Sequence, residues 1–158
     1  MILLLLLSCS VDEYPPTLLA RWKDPPTVEV CIDTAFTVEE VQEALDWWQE
    51  LSPNYEYNDL TTSSCINSPR GLIRITYMEE DPQIGGTTHR KYYPTTDPEM
   101  RSAIISIEDT APFWHLLHEL GHAWGWNHTP EEDHSHLMCR ESCTLGTEGL
   151  DTYPLMIK

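Results

Sequence analysis

Hydrophobic and polar positions alternate along Val28-Glu29-Val30-Cys31-Ile32, the period-two signature of a half-buried strand. Thr37 and Glu40 then stand three apart, the spacing of a capping box, and open a stretch that predicts a helix through about Leu51. The runs 72–77 (Leu-Ile-Arg-Ile-Thr-Tyr) and 103–107 (Ala-Ile-Ile-Ser-Ile) read as further strands, with a weaker one near Tyr55 to Tyr57. A second helix is expected to begin after Pro112. Strand, helix, several strands, helix is an α+β order, in which a twisted sheet backs the second helix.

The N-terminal stretch follows neither period. Met1 to Ser8 is apolar but far too short to span a bilayer, and Leu6-Leu7-Ser8-Cys9 reads as the lipobox of a lipoprotein signal. On that reading residues 1–8 are a signal peptide and Cys9 is lipidated, anchoring the protein to a membrane. An ordinary cleaved secretory signal is the competing reading. Both export the protein, either to the cell envelope (outer membrane or surface) or as a secreted product. Pro15-Pro16 and Pro25-Pro26 make residues 9–26 a proline-bearing tether, leaving 27–158 as the domain.

At 158 residues with 41% hydrophobic content, the chain can bury one core and hardly two. Its 9 Lys and Arg against 26 Asp and Glu give a formal charge of −17, which argues against nucleic acid as a partner and reads as a solvated surface; a monomer is expected. Beyond Cys9 there are four cysteines, Cys31, Cys65, Cys139 and Cys143, an even number that suits an oxidising compartment. Four cysteines allow three pairings. Cys31–Cys65, tying the opening strand to a loop, and Cys139–Cys143, clamping the chain just after residue 138, are favoured over free thiols.

The chemistry concentrates in His118-Glu119-Leu120-Gly121-His122-Ala123-Trp124-Gly125-Trp126-Asn127-His128. At about 100° per residue, His118 and His122 fall on one helical face one turn apart, so both imidazoles reach one metal ion. Glu119 is rotated about 100° from His118, beside the ion's open position, where a carboxylate serves as a base rather than a ligand. Gly125 can adopt the left-handed conformation that ends a helix and turns the chain to bring His128 in from another direction. Three protein ligands with a fourth position open describe a catalytic zinc, whereas a structural zinc is normally closed by four. His134 and His136 compete with His128 as third ligand, and the glycine turn favours His128. His115, about 60° from His118, is read as outside the ligand set, and His89 stands alone. Trp47, Trp48, Trp114, Trp124 and Trp126 are expected to fill the core or the helix–sheet seam, with Trp126 the best candidate to line a cleft.

These residues resemble the metzincin clan of zinc endopeptidases, whose pattern is H-E-x-x-H-x-x-G-x-x-H followed by a methionine-bearing turn. Ser135-His136-Leu137-Met138 supplies a candidate for that turn. Arg21-Trp22-Lys23, Ala44-Leu45-Asp46-Trp47-Trp48, Gly85-Gly86-Thr87-Thr88 and His118 to Thr129 look like landmarks of the matrixin-like branch, so the resemblance covers about Arg21 to Met138. It implies a twisted, mainly parallel sheet of four to five strands packed on two long helices, with a short C-terminal subdomain after the turn. It also implies one catalytic Zn2+ on His118, His122 and His128, Met138 as an apolar floor, Glu119 as general base, and hydrolysis of protein or peptide substrates. Arg140 stands where the turn methionine is often followed by tyrosine. Two other functions share these residues: a surface-tethered metal-binding module without catalysis, and a cell-envelope hydrolase acting on peptide cross-links. Glu119 speaks against the first, since a structural site needs no base.

Overall fold

A computed structural model describes residues 16–34, 36–79, 85–130, 135–140 and 144–154. The expected signal, Cys9 and its lipidation, His134 and Cys143 lie outside the described residues. In chain order the elements are β1 (Thr27–Cys31), α1 (Val38–Leu51), β2 (Asp59–Ser63), β3 (Leu72–Tyr77), β4 (Gly86–Tyr93), β5 (Glu99–Ile107) and α2 (Phe113–Trp124), followed by a short 3-10 turn at Leu150–Thr152. The fold is α+β, as expected, with one mixed five-stranded sheet and two α-helices among the described residues.

The sheet runs β2-β1-β3-β5-β4. Its first four strands are parallel, and β4 closes one edge antiparallel to β5. Register assigns the faces. Val28 pairs with Ile73, Ile73 with Ala103, and Ala103 with Arg90, so these residues share the face that also carries Val30, Ile75, Ile105 and Thr88. The apolar members of this set are buried and form one core with Val41, Ala44, Leu45 and Trp48 of α1 and Leu116, Leu117, Leu120 and Trp124 of α2.

Helix α1 starts where the capping box places it. The Thr37 hydroxyl accepts from the Glu40 N–H at 3.2 Å, and the Glu40 carboxylate accepts from the Thr37 N–H at 2.8 Å. Its buried positions Val41, Ala44, Leu45 and Trp48 repeat at helical spacing. The Trp48 indole N–H donates to the Leu117 carbonyl at 3.2 Å, tying α1 to α2.

Cys31 and Cys65 form the expected disulfide, with a Cα–Cα distance of 5.6 Å. Beside it Arg74 pairs with Glu29 at 2.7 Å and donates to the Cys65 carbonyl at 3.0 Å. Cys139 is also disulfide-bonded.

The weak strand expected near Tyr55 to Tyr57 is not a strand. Tyr55 is fully buried, with its hydroxyl donating to the Leu150 carbonyl at 2.5 Å, and the edge strand β2 follows at Asp59. Aromatic alternation there reflects a core plug, while the true edge strand, Asp-Leu-Thr-Thr-Ser, carries almost no apolar signal. Nor is the stretch up to Pro26 simply a tether. Ala20 and Trp22 are buried, the Trp22 indole N–H donates to the Ala123 carbonyl at 3.0 Å, and Leu18 bridges antiparallel to Trp126. Apolar residues at 18, 20 and 22 give this segment a strand-like period, which the flanking prolines mask.

Candidate metal centre

Helix α2 lies with β4 and β5 on one side and α1 on another, and every residue from Leu116 to Trp124 is buried. Its last turn ends at Gly125, with φ 110° and ψ −1°. An L residue is disfavoured there, and a Cβ would also lie 1.8 Å from the Ala20 carbonyl oxygen. The strand-like segment before β1 therefore braces the turn: Leu19 N–H donates to the Gly125 carbonyl at 2.9 Å and Asn127 N–H to the Thr17 carbonyl at 2.8 Å. That turn carries His128 back toward the helix.

His118, His122 and His128 converge, with their ligand nitrogens all within 4.8 Å of one another. Second hydrogen bonds set two of the rings. Nδ1 of His118 lies 2.6 Å from the Leu137 carbonyl and Nδ1 of His122 lies 2.8 Å from the Trp126 carbonyl. A carbonyl only accepts, so each Nδ1 carries the proton and each Nε2 keeps a free lone pair. Nε2 of His122 is 3.1 Å from Nε2 of His128, close to the roughly 3.3 Å that two nitrogens adopt on a tetrahedral ion with metal–nitrogen bonds of about 2.0–2.1 Å. Burial lowers the pKa of His118 to about 4, that of His122 well below the ordinary value, and that of His128 in the same direction. The rings are thus neutral at pH 7, the form that binds metals. Three neutral imidazoles with converging nitrogens suit a transition-metal cation, and the residues fit one.

Glu119 follows His118 on the helix and is buried, and it is not among the converging residues. Burial raises its carboxyl pKa to about 7, partly offset by hydrogen bonding to Thr88 and by the charge of Arg90. The Thr88 hydroxyl is 2.6 Å from Oε2 and 3.1 Å from the Glu119 carbonyl. Having one proton, it makes its stronger bond at the closer, charge-assisted contact. Gly86 admits the same side chain, since a Cβ there would come within 3.0 Å of the Glu119 Cγ. Arg90 stands two residues beyond Thr88 on the same face of β4 and donates to the Trp126 carbonyl at 2.8 Å, sharing that acceptor with His122.

Met138 is fully buried, and a Cβ on Gly121 would lie 2.3 Å from its sulfur. The turn methionine therefore packs against the helix between the first two histidines, over the bare backbone of Gly121. Arg140 is exposed, and its charge reaches His128.

The other candidates fall elsewhere. His136 is buried with both ring nitrogens on the backbone. His115 is half-buried against Gly85, and His89 is exposed on β4. Trp126 does not line a cleft: it is 4% exposed, and its indole N–H donates to the Tyr55 hydroxyl at 2.8 Å. Sequence reasoning noticed Thr88, Arg21 and Trp22 only as parts of landmarks, took 17–22 for tether and missed Arg90. The alternation Thr88-His89-Arg90 on an edge strand was the available signal for Thr88 and Arg90.

The chain matches no family model, and no curated protein or solved structure matches it significantly.

Proposed function

We propose that this protein is a zinc-dependent endopeptidase of the metzincin type, closest to the matrixin-like branch, that hydrolyses peptide bonds outside the cytoplasm. The observation that carries the reading is the convergence of three neutral imidazoles on one point, with the buried Glu119 directly following the first of them on helix α2. Zinc, when bound, would supply Lewis acidity that activates water for attack. His118, His122 and His128 would hold it. Glu119 accepts the proton of the attacking water and hands it to the leaving amine, and its raised pKa suits both tasks near neutral pH. Thr88 holds the carboxylate for that exchange. The Cys31–Cys65 disulfide supports export, and lipid anchoring through Cys9 belongs to the same reading.

Digestion of a proteome-derived peptide library tests this. Cleavage within peptides that stops on chelation and returns with zinc is the expected result. A library left intact by the zinc-loaded protein would remove the peptidase reading.

A further inference from the structure

The methionine turn contains a buried histidine that the ligand set does not use. His136 is 3% exposed. Its Nδ1 accepts from the Met138 N–H at 2.9 Å, so its proton sits on Nε2, which donates to the Glu148 carbonyl at 2.9 Å. Both nitrogens are committed, and no lone pair remains for a metal. Between the two bridged residues of the turn lies Leu137. Its N–H donates to the Gly146 carbonyl at 2.7 Å, and its own carbonyl receives Nδ1 of His118 at 2.6 Å. Gly146 lies so close that a Cβ would meet the Ser135 carbonyl at 2.1 Å, so the two chain segments are in backbone contact here.

We propose that His136 is a positioning residue for the metal centre: by bridging the Met138 amide and the Glu148 carbonyl, it fixes the Leu137 carbonyl that orients the ring of His118. This rests on the reading of the three histidines as a metal site. The imidazole joins the turn to the segment from Gly146 to Glu148, and the Leu137–Met138 peptide, which carries both the bonded N–H and the Leu137 carbonyl, cannot rotate without breaking the bond to Nδ1. Loss of the bridge frees the Leu137 carbonyl. His118 then loses the partner that keeps its proton on Nδ1, and a ligand with the wrong tautomer or ring plane binds metal less well. His136 therefore acts through Leu137 and His118, not on substrate.

The test compares the parent with His136→Leu, which removes both bonds, and His136→Asn, whose side-chain oxygen can still accept from the Met138 amide. Zinc affinity is read by competition with a coloured chelator. Long-range proton–nitrogen imidazole spectra of the metal-free chain read tautomers directly. Expected are about ten- to hundredfold weaker zinc binding in His136→Leu, loss of the His118 Nδ1–H signal in that variant, and retention of most affinity in His136→Asn. Unchanged zinc affinity with an unchanged His118 tautomer in His136→Leu would overturn the proposal, even if thermal stability falls, because only a structural tie would have been lost. Complete loss of zinc in both variants would overturn it by making His136 a ligand. Should His136→Leu not fold, the parent spectrum decides: His136 protonated on Nδ1 overturns the proposal, whereas the Nε2–H form together with Asn rescue supports it. A parent that takes up no zinc yet shows the His118 tautomer change in His136→Leu would sink the metal reading and uphold the positioning.

Discussion

The hydroxyl of Thr88, on the edge strand β4, lies 2.6 Å from Oε2 of Glu119, on helix α2. The contact joins the residue proposed as general base to the strand beside it. A hydrogen bond to a charged group is worth about 1.5–3 kcal/mol, so Thr88→Val is expected to lower kcat by about ten- to hundredfold while zinc content stays near one per chain. Thr88→Ser restores most of the rate. Steady-state kinetics with metal analysis checks this, and a valine variant at the parent rate would separate Thr88 from the base.

Gly125 carries the turn that delivers His128. Alanine there takes on a left-handed backbone, at about 1–2 kcal/mol, and a Cβ 1.8 Å from the Ala20 carbonyl oxygen. Gly125→Ala is expected to destabilise the fold by more than about 2 kcal/mol and to weaken zinc retention. Denaturant unfolding followed by dialysis and elemental analysis measures both. A variant as stable as the parent, with zinc retained, would show that the turn does not depend on this conformation.

Trp22 separates a braced domain from a tethered one. It is 2% exposed and bonded to the Ala123 carbonyl, so Trp22→Ala is expected to cost about 3–5 kcal/mol, the usual loss for a large buried aromatic. Thermal or urea unfolding reads the change. If residues up to Pro26 were only a tether, the substitution would be nearly neutral.

Acid should unfold the metal-free chain through its histidines. Burial lowers the folded pKa of His118 to about 4, against an unfolded value of about 6.5, so between these values the unfolded chain binds the extra proton. Stability therefore falls as pH drops through that window, by about 3 kcal/mol from His118 alone, and His122 and His128 act in the same direction. Glu119 opposes them. Its folded pKa is raised to about 7, so the stability it contributes is present at low pH and is lost as pH rises from about 4.5 to 7. Three groups against one leave the chelated protein less stable at pH 4.5 than at pH 7 in denaturant titrations. A flat or inverted profile would contradict the burial of the cluster.

Local signals made much of this molecule legible. The capping box at Thr37 and Glu40 placed α1, and the alternation around Val28 placed β1, because each interaction lies within a few residues. His118, His122 and Gly125 were readable for the same reason: one helical turn and one left-handed residue fix their geometry. Tertiary contacts were not readable in this way. Tyr55 resembled part of a strand because burial in a core and burial in a sheet select the same aromatic residue. The segment from Leu18 to Trp22 resembled a tether because its partner, the turn at Gly125, lies about a hundred residues away. Alternation with Thr88 put Arg90 on the same face of its strand, but its partner, the Trp126 carbonyl, was not legible, since only the pairing of β4 with β5 and the packing of α2 bring the two together.

Glu119 either serves catalysis as a base or is merely a buried carboxyl on the metal-binding helix. Glu119→Gln keeps the side-chain shape, removes the base and touches no ligand. Measured on one preparation, zinc content should remain near one per chain while peptide hydrolysis falls by about a hundred- to ten-thousandfold. Hydrolysis by the zinc-loaded variant at the parent rate would contradict the account.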